Sequence, residues 1–192
     1  MTIKKISLRN FLYYKFLNSL FLGVSVGSIF TLYAPLEPSV YSLGGIVLAL
    51  GMLFVAKLYH KILTLGYFFA ILTLVEAVIL LAVLYFLLFS YSYTSAFLFY
   101  ASYQFTFIFG SYLMRAETLF LKKSMLLSLV DVTKQKGYLA GMLLSYIFYR
   151  LLEFAFAIAN KEEQVYAMHF LLLITQLFII TFLVKSFNKK GR

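Results

Sequence analysis

The chain has 192 residues, of which 63% are hydrophobic and only 12% are charged. An ordinary soluble domain is about 25% charged, so the composition excludes that class and indicates a chain whose solvent is lipid. The formal net charge is +10. We attribute it to basic residues at the cytoplasmic ends of membrane helices rather than to nucleic-acid binding. The absence of cysteine excludes disulfides and thiol chemistry.

Six apolar segments account for nearly the whole sequence. A transmembrane helix needs about 20 mainly apolar residues, so six of them leave no room for a separate soluble domain. We therefore predict an all-α fold, a polytopic bundle of six transmembrane helices forming one domain over residues 1–192. The predicted spans are residues 11–33, 40–59, 63–89, 96–114, 137–159 and 165–184. We interpret the basic N-terminal start as the flank of an uncleaved first span, not as a signal peptide.

The distribution of basic residues predicts the orientation. Fifteen of the 17 Lys and Arg residues fall in the N-terminal segment, the second and fourth loops and the tail. The exceptions are Lys161 in an outer turn and Arg150. The positive-inside bias then places both termini in the cytoplasm, and we predict a multi-pass protein of the cell inner membrane. The fourth loop, residues 115–136, mixes cations with leucines and predicts an amphipathic inner helix between spans four and five.

Small residues recur at helical spacing and predict close packing between helices. Residues four apart lie on one face of a helix, and a glycine there lets another backbone approach. The glycines that we expect in helix packing are Gly23, Gly27, Gly44, Gly45, Gly137 and Gly141.

Several polar residues stand inside predicted spans, and Glu76 and Gln104 are two of them. Glu76 lies near the middle of the third span, where an ionisable group costs about 2.5–3.5 kcal/mol. It is either a functional group or one member of a structural ion pair, and the sequence favours neither. Gln104 shares a face of the fourth span with Tyr100 and Ser111. That face would line an aqueous cavity or form a hydrogen-bonded seam between helices.

Arg150 is the most specific polar feature. It precedes Asn160 by ten residues, which at the usual helical rise predicts a depth of roughly 15 Å. An arginine at that depth needs a partner. Glu153 lies one helical turn away and is the nearest candidate, and Glu76 is the second.

Features of an enzyme are lacking in the sequence. It contains one Asp, two His and no Cys, and the predicted spans place His60 and His169 near opposite membrane faces. No Gly-rich phosphate loop and no Ser–His–Asp order is present. We therefore expect no enzymatic activity, no cofactor and no metal.

The second span and the loop after it resemble the N-terminal half of a major facilitator superfamily transporter. Such halves have six spans, and their second span ends in a basic loop of the form G-x-x-x-D-R/K-x-G. Residues 56–63 read AKLYHKIL at that place. Lys61 matches the motif and Ala56 is small like its first glycine, whereas His60 replaces the aspartate and Leu63 the second glycine. Lys57 adds a further cation.

This resemblance implies an inverted pair of three-helix units, in which the second and fifth spans correspond. Residues 43–49 then align with residues 139–145. Because such transporters have twelve spans, it also implies a parallel homodimer. Spans one, two, four and five of both copies would line a solute pathway, with Arg150, Glu153 and Gln104 facing it and Glu76 as part of a proton relay.

The expected function is thus a half-size secondary transporter of an unknown small solute, in contact with the lipid bilayer. The alternative is a non-transporting membrane subunit, or a scaffold or assembly protein, which would use its small-residue ridges and basic loop to hold a partner membrane protein or lipids.

Overall fold

The computed structural model of the chain describes residues 3–28, 32 and 36–189, and these residues are almost entirely helical. The strands are β1 (Ile3–Ile6) and β2 (Phe187–Lys189), and the α-helices are α1 (Leu8–Ser25), α2 (Pro38–Lys57), α3 (Tyr59–Ile62), α4 (Leu65–Leu88), α5 (Tyr93–Ile108), α6 (Gly110–Leu121), α7 (Ser124–Phe156) and α8 (Lys161–Ser186). A short 3₁₀ turn, Val26–Ser28, follows α1. Helices α2, α4, α7 and α8 are long and apolar enough to cross a membrane.

Local sequence explains where several helices begin. Pro38 is the first residue of α2, a position where its missing N–H costs nothing. Ser92 and Ser95 form a capping box at the start of α5. Asn160 accepts a hydrogen bond from the Glu162 backbone N–H at 2.9 Å and caps α8, which satisfies one of the free donors of the first turn.

The long helices pack in the order α7, α1, α8, α4, α5, α2. Helix α7 runs parallel to α1, because Gly137 meets Phe16 and Gly141 meets Leu20. Helix α8 runs antiparallel to α1, since its last residue, Ser186, accepts a hydrogen bond from the Ser7 backbone N–H at 2.8 Å.

The directions of the remaining helices in this packing order, α4, α5 and α2, are given by their own contacts. Helix α4 is antiparallel to α8, because the Tyr166 hydroxyl donates to the Leu87 carbonyl at the end of α4. Helix α5 is antiparallel to α4, with the Phe86 and Phe99 rings 5.7 Å apart. Helix α2 is parallel to α5, and Gly44 faces Tyr100. Along the chain, the long helices therefore alternate in direction.

These contacts have an internal regularity. Consider an exchange of α1 with α5, of α2 with α7 and of α4 with α8. The α1–α7 contact then becomes the α5–α2 contact, and the α1–α8 contact becomes the α5–α4 contact. The α4–α8 contact is unchanged. The two members of each exchanged pair run in opposite directions. The first three and the last three long helices are thus related by an exchange that reverses helix direction, and the two sets interleave, since all five of these contacts join one set to the other.

Strands β1 and β2 pair antiparallel and bring the N-terminal and C-terminal segments together at one end of the bundle. We call this the strand end. The rings of Phe11, Phe68 and Phe187 pack beneath it with centroids 5.9–6.4 Å apart. This small sheet was not predicted, because four residues of strand give almost no periodic signal.

Two predicted helices differ in the structure. The predicted fourth span is interrupted at Phe109, where α5 ends and α6 begins. Residues 115–136 do not form a separate inner helix. Their first part completes α6, the chain breaks at Lys122 with a positive φ of 58°, and the remainder begins the 33-residue α7. Part of the predicted end of the first span lies outside the described residues.

Candidate functional site

Glu76 is the centre of a buried polar cluster between α1, α4 and α8. Its Oε1 accepts hydrogen bonds from the Tyr14 hydroxyl at 2.8 Å and from Asn18 Nδ2 at 2.9 Å. Its Oε2 accepts from Gln176 Nε2 at 2.9 Å. Only 2% of Glu76 is exposed. The carboxyl is thus surrounded by three uncharged donors, which is how a buried acid is tolerated without a directly bonded cation.

A second cluster lies beside the first and contains an ionic network. Lys15 and Lys134 both form ion pairs with the carboxylate of Glu117, Lys134 at 2.7 Å. Lys134 also pairs with the exposed Asp131 at 3.2 Å. Burial alone would raise the pKa of Glu117, but the two ammonium groups outweigh it and hold that pKa below its usual value. The network ties α1, α6 and α7 together.

The two clusters are joined through consecutive residues of α1. Tyr14 contacts Glu76 and Lys15 contacts Glu117, and Lys15 lies close enough to Glu76 to interact with it electrostatically. Buried ionisable groups thus run from Glu117, near the strand end, to the middle of the bundle. In an interior of low dielectric, such adjacent groups influence each other's charge.

Arg150 and Glu153 pair as predicted, with Nη1 and Oε2 3.1 Å apart, but their side chains are 50% and 47% exposed. Arg150 lies six residues before the end of α7, roughly 9 Å at the helical rise, which is shorter than the distance expected for a helix that continues to Asn160. Glu76 is not its partner, because Glu76 faces α1 and α8. The pair lines an open cleft of about 360 Å³ with Tyr149 and Gln164.

Gln104 stands apart from both sites. It lines a groove of about 300 Å³ between α2 and α5, and the groove is almost entirely apolar. Its Oε1 is buried and has no hydrogen-bond partner within the residues described. The predicted polar face of the fourth span therefore borders an apolar groove and does not contact Glu76 or Arg150.

The glycines mark the closest helix crossings. A Cβ on Gly23, Gly137 or Gly141 would collide with the backbone of the facing helix, at the α1–α7 crossing. Gly27 touches the Tyr149 ring.

The glycine pair of α2 behaves differently. Gly44 leaves room for the Tyr100 ring, whereas a Cβ on Gly45 would meet no atom within 4 Å. Within the described residues of one chain Gly45 therefore packs against no neighbouring helix, since one residue further along a helix points about 100° away from the contact.

The basic loop after α2 is exposed. Lys57 ends α2, while His60 and Lys61 lie in the short α3, and in the described part of the chain none of the three forms an ion pair. No group of three or more His, Asp or Glu side chains in that part is arranged to hold a metal ion.

The residues that complete the Glu76 site were not singled out from the sequence. Tyr14 and Asn18 lie four residues apart on one face of α1, a spacing that signals a shared polar face. Gln176 lies inside the last predicted span, and its amide donates hydrogen bonds to both the carboxyl and the backbone carbonyl of Glu76. Tyr14, Asn18 and Gln176 meet Glu76 because α1 and α8 are neighbours of α4 in space. The sequence alone does not give this order of the helices.

Comparisons of the chain with known protein families, with curated proteins and with solved structures find no match.

Proposed function

We propose that the chain is a six-span inner-membrane half-transporter, which moves a small solute by alternating access as a parallel homodimer. Both termini are cytoplasmic in this proposal. The observation that carries it is the inverted packing of the first and last three long helices. Internal repeats of inverted topology are typical of secondary transporters, because exchanging the conformations of two such repeats converts an outward-open state into an inward-open one.

The glycine contacts support the same relation. Gly137 and Gly141 place α7 against α1, and Gly44 and Gly51 place α2 against α5. The exchange turns the α7–α1 contact into the α2–α5 contact, so the repeat extends to the small residues that set helix distance. The alignment of the second and fifth spans is then shifted by one residue, since Gly44 rather than Gly45 faces the neighbouring helix.

Exposure of α2 and α7 supports the homodimer. In their span windows only 6% of α2 and 17% of α7 residues are buried, against 39% for α4 and for α8. In a dimer with its axis along the membrane normal, α2 of one copy would pack against α7 of the other. The interface is then isologous, and both exposed helices are covered at once.

Two groups would carry the chemistry. Glu76 is the proton-binding group, since it is the buried carboxyl at the crossing of α1, α4 and α8. The Arg150–Glu153 cleft is the solute-contacting site at the end opposite the strands, where the guanidinium would bind an anionic or polar group. Intramembrane and cleft charges in transporters have such roles.

Native mass spectrometry in mild detergent tests the assembly. We expect the mass of two 22.1 kDa chains. Because the chain has no cysteine, the double variant Leu50→Cys/Leu143→Cys can be tested for a disulfide between copies. Leu50 lies seven residues before Lys57 and Leu143 seven residues after Lys136. These cations flank the inner ends of the second and fifth predicted spans, so the two positions should lie at similar depth. A monomer without cross-links would remove the basis of the proposal.

Proteoliposomes on a solid-supported membrane test transport. Pulses of amino acids, sugars, nucleosides, carboxylates and organic cations should produce a current with at least one class. We expect Glu76→Gln and Arg150→Gln to abolish that current and Glu163→Gln, on an exposed carboxylate of α8, to preserve it. Absence of current with every class, in a protein that inserts and folds, would argue against transport.

The second candidate is a non-transporting subunit or scaffold. It is favoured by one observation: both oxygens of Glu76 have hydrogen-bond partners from other helices, as expected for a group that only fixes helix position. A native mass that includes a different protein, together with silent proteoliposomes, would support this candidate.

A further inference from the structure

A groove of about 710 Å³ opens on the surface near the strand end, where α1 lies between α7 and α8. Its walls are mostly aliphatic and aromatic, with Leu8, Leu12, Phe16 and Leu17 from α1. In a bilayer this groove faces lipid, because it lies on the outer surface of the helices. Its volume and apolar walls suit an acyl chain.

Cations and aromatic rings alternate along the rim of this groove. The Arg9 guanidinium lies over the Tyr13 ring at 6.0 Å, and the Tyr13 and Phe182 rings are 5.2 Å apart. The Lys185 ammonium lies over the Phe182 ring at 5.8 Å. The two cations, one on α1 and one on α8, are thus linked through a pair of rings that contact each other in a tilted arrangement.

Among the residues that the structure describes, these two cations have no acidic partner. Arg9 and Lys185 are both exposed, and neither forms an ion pair with a carboxylate in the ranges that the structure describes. Helices α1 and α8 are instead joined here by a hydrogen bond from a side chain to the backbone: Asn10 Nδ2 donates to the Lys185 carbonyl at 3.0 Å. The rim therefore presents two positive charges to a ligand rather than to the protein.

We propose that this groove binds an anionic phospholipid, with the phosphate between Arg9 and Lys185 and an acyl chain along Leu8, Leu12 and Phe16. Basic sites between membrane helices at the cytoplasmic side bind anionic head groups, and the surface of that leaflet is negative. Tyr13 lies at the boundary between chain and head group, the depth at which tyrosine is enriched. The proposal depends on the bilayer as surroundings and not on transport.

The test is native mass spectrometry of the purified chain after addition of dioleoyl phosphatidylglycerol or dioleoyl phosphatidylcholine at equal concentration. Two near-surface cations favour an anionic lipid by roughly 30-fold, so we expect phosphatidylglycerol to be retained preferentially by about that factor. Arg9→Gln/Lys185→Gln should abolish the preference. Lys57→Gln/Lys61→Gln removes the same charge from an exposed loop away from the groove, and it should leave the preference unchanged.

Equal retention of both lipids by the unaltered chain would overturn the proposal, because the groove would then be an unselective apolar surface. An equal loss in the two double variants would also overturn it, since attraction would then come from overall charge. Both altered side chains are exposed, so folding should persist, and the single variants Arg9→Gln and Lys185→Gln serve if the double variant does not purify. Glycerol phosphate, which lacks acyl chains, should fail to compete, and competition would contradict the role of the groove.

Discussion

At the scale of single residues, the two buried carboxylates use different means of stabilisation. Glu117 is bonded to two ammonium groups, whereas Glu76 receives hydrogen bonds from Tyr14, Asn18 and Gln176. Removing one partner of a buried ion pair costs roughly 3–5 kcal/mol, because the other charge remains buried and uncompensated. A buried donor that loses its acceptor costs about 1–3 kcal/mol.

Stability should depend on the protonation of Glu117. Its pKa is lowered in the folded chain, so the folded state binds fewer protons than the unfolded one near that pKa. The contribution is then fully present above the unfolded pKa of about 4.3 and is lost as the pH falls through the lowered folded value. We expect Glu117→Gln to lower the melting temperature in detergent at pH 7. The difference in melting temperature between this variant and the unaltered chain should become smaller as the pH falls from 5 to 3.5.

Glu163→Gln provides the control for this prediction, because Glu163 is exposed and forms no ion pair among the described side chains. The Glu163→Gln variant should have the same melting temperature as the unaltered chain at pH 7 and at pH 3.5. A Glu117→Gln variant whose deficit stays constant from pH 7 to pH 3.5 would show that lost packing, not lost charge, causes the effect.

The sequence identified Glu76 as an exceptional group because an acid inside an apolar span is costly wherever it lies. It did not identify Tyr14, Asn18 or Gln176 as partners, since contacts between residues 58 to 100 positions apart depend on helix order. The distance from Arg150 to the helix end was overestimated because a break in the backbone was not visible in the sequence. The sequence between Phe156 and Asn160 looks apolar, but the helix ends at Phe156 with Ala157 at a positive φ of 54°.

At the scale of helices, the α1–α7 crossing depends on residues without side chains. A Cβ on Gly137 would collide with the Phe16 carbonyl oxygen, and backbone cannot yield as a flexible side chain can. We expect Gly137→Ala to destabilise the protein by about 1–3 kcal/mol, as overpacking does. Thermal unfolding in detergent measures this loss.

Gly45→Ala is the matched control, because no atom lies within 4 Å of the added Cβ. An alanine is favoured over glycine in a helix by roughly 0.5–1 kcal/mol, so this variant should be as stable as the unaltered chain or slightly more stable. If Gly137→Ala proved as harmless as Gly45→Ala, the close α1–α7 approach would be contradicted.

Helix existence was easier to predict than helix limits. Long apolar runs define α2, α4, α7 and α8 because a membrane helix must be both apolar and long. Neither Phe109, where α5 ends, nor Lys122, which has a positive φ, is a proline or a glycine. Only Gly110, directly after Phe109, gives a weak signal of a break. Amphipathic residues after Lys123 continue into α7 because no breaker stands between them and Gly137.

At the scale of the whole molecule, alternation of helix direction follows from chain connectivity, but neighbour order does not. Short connections force successive spans to alternate, which the sequence implied. The arrangement of α1 between α7 and α8 depends on small residues facing each other across helices distant in sequence. The exchange that relates the first three long helices to the last three is therefore a property of packing. The weak sequence similarity between residues 43–49 and 139–145 does not by itself predict this relation.

Orientation of the bundle is the remaining prediction at this scale. The strand end, formed by the strands β1 and β2, also carries Lys57 and Lys61. Lys122 and Lys123 lie on the same side because α2 and α5–α6 run towards it. Basic residues are retained on the cytoplasmic side, so this end should face the cytoplasm.

Single-cysteine variants can test this orientation without background, because the chain has no cysteine. We expect Lys123→Cys to react with an impermeant maleimide only in inverted membrane vesicles, and Glu163→Cys, at the start of α8, only in intact cells with a permeable outer envelope. The reverse pattern would contradict the cytoplasmic placement of the strand end. Reaction of both variants from the same side would contradict the crossing itself, because α8 and the α6–α7 junction would then lie on one face of the membrane.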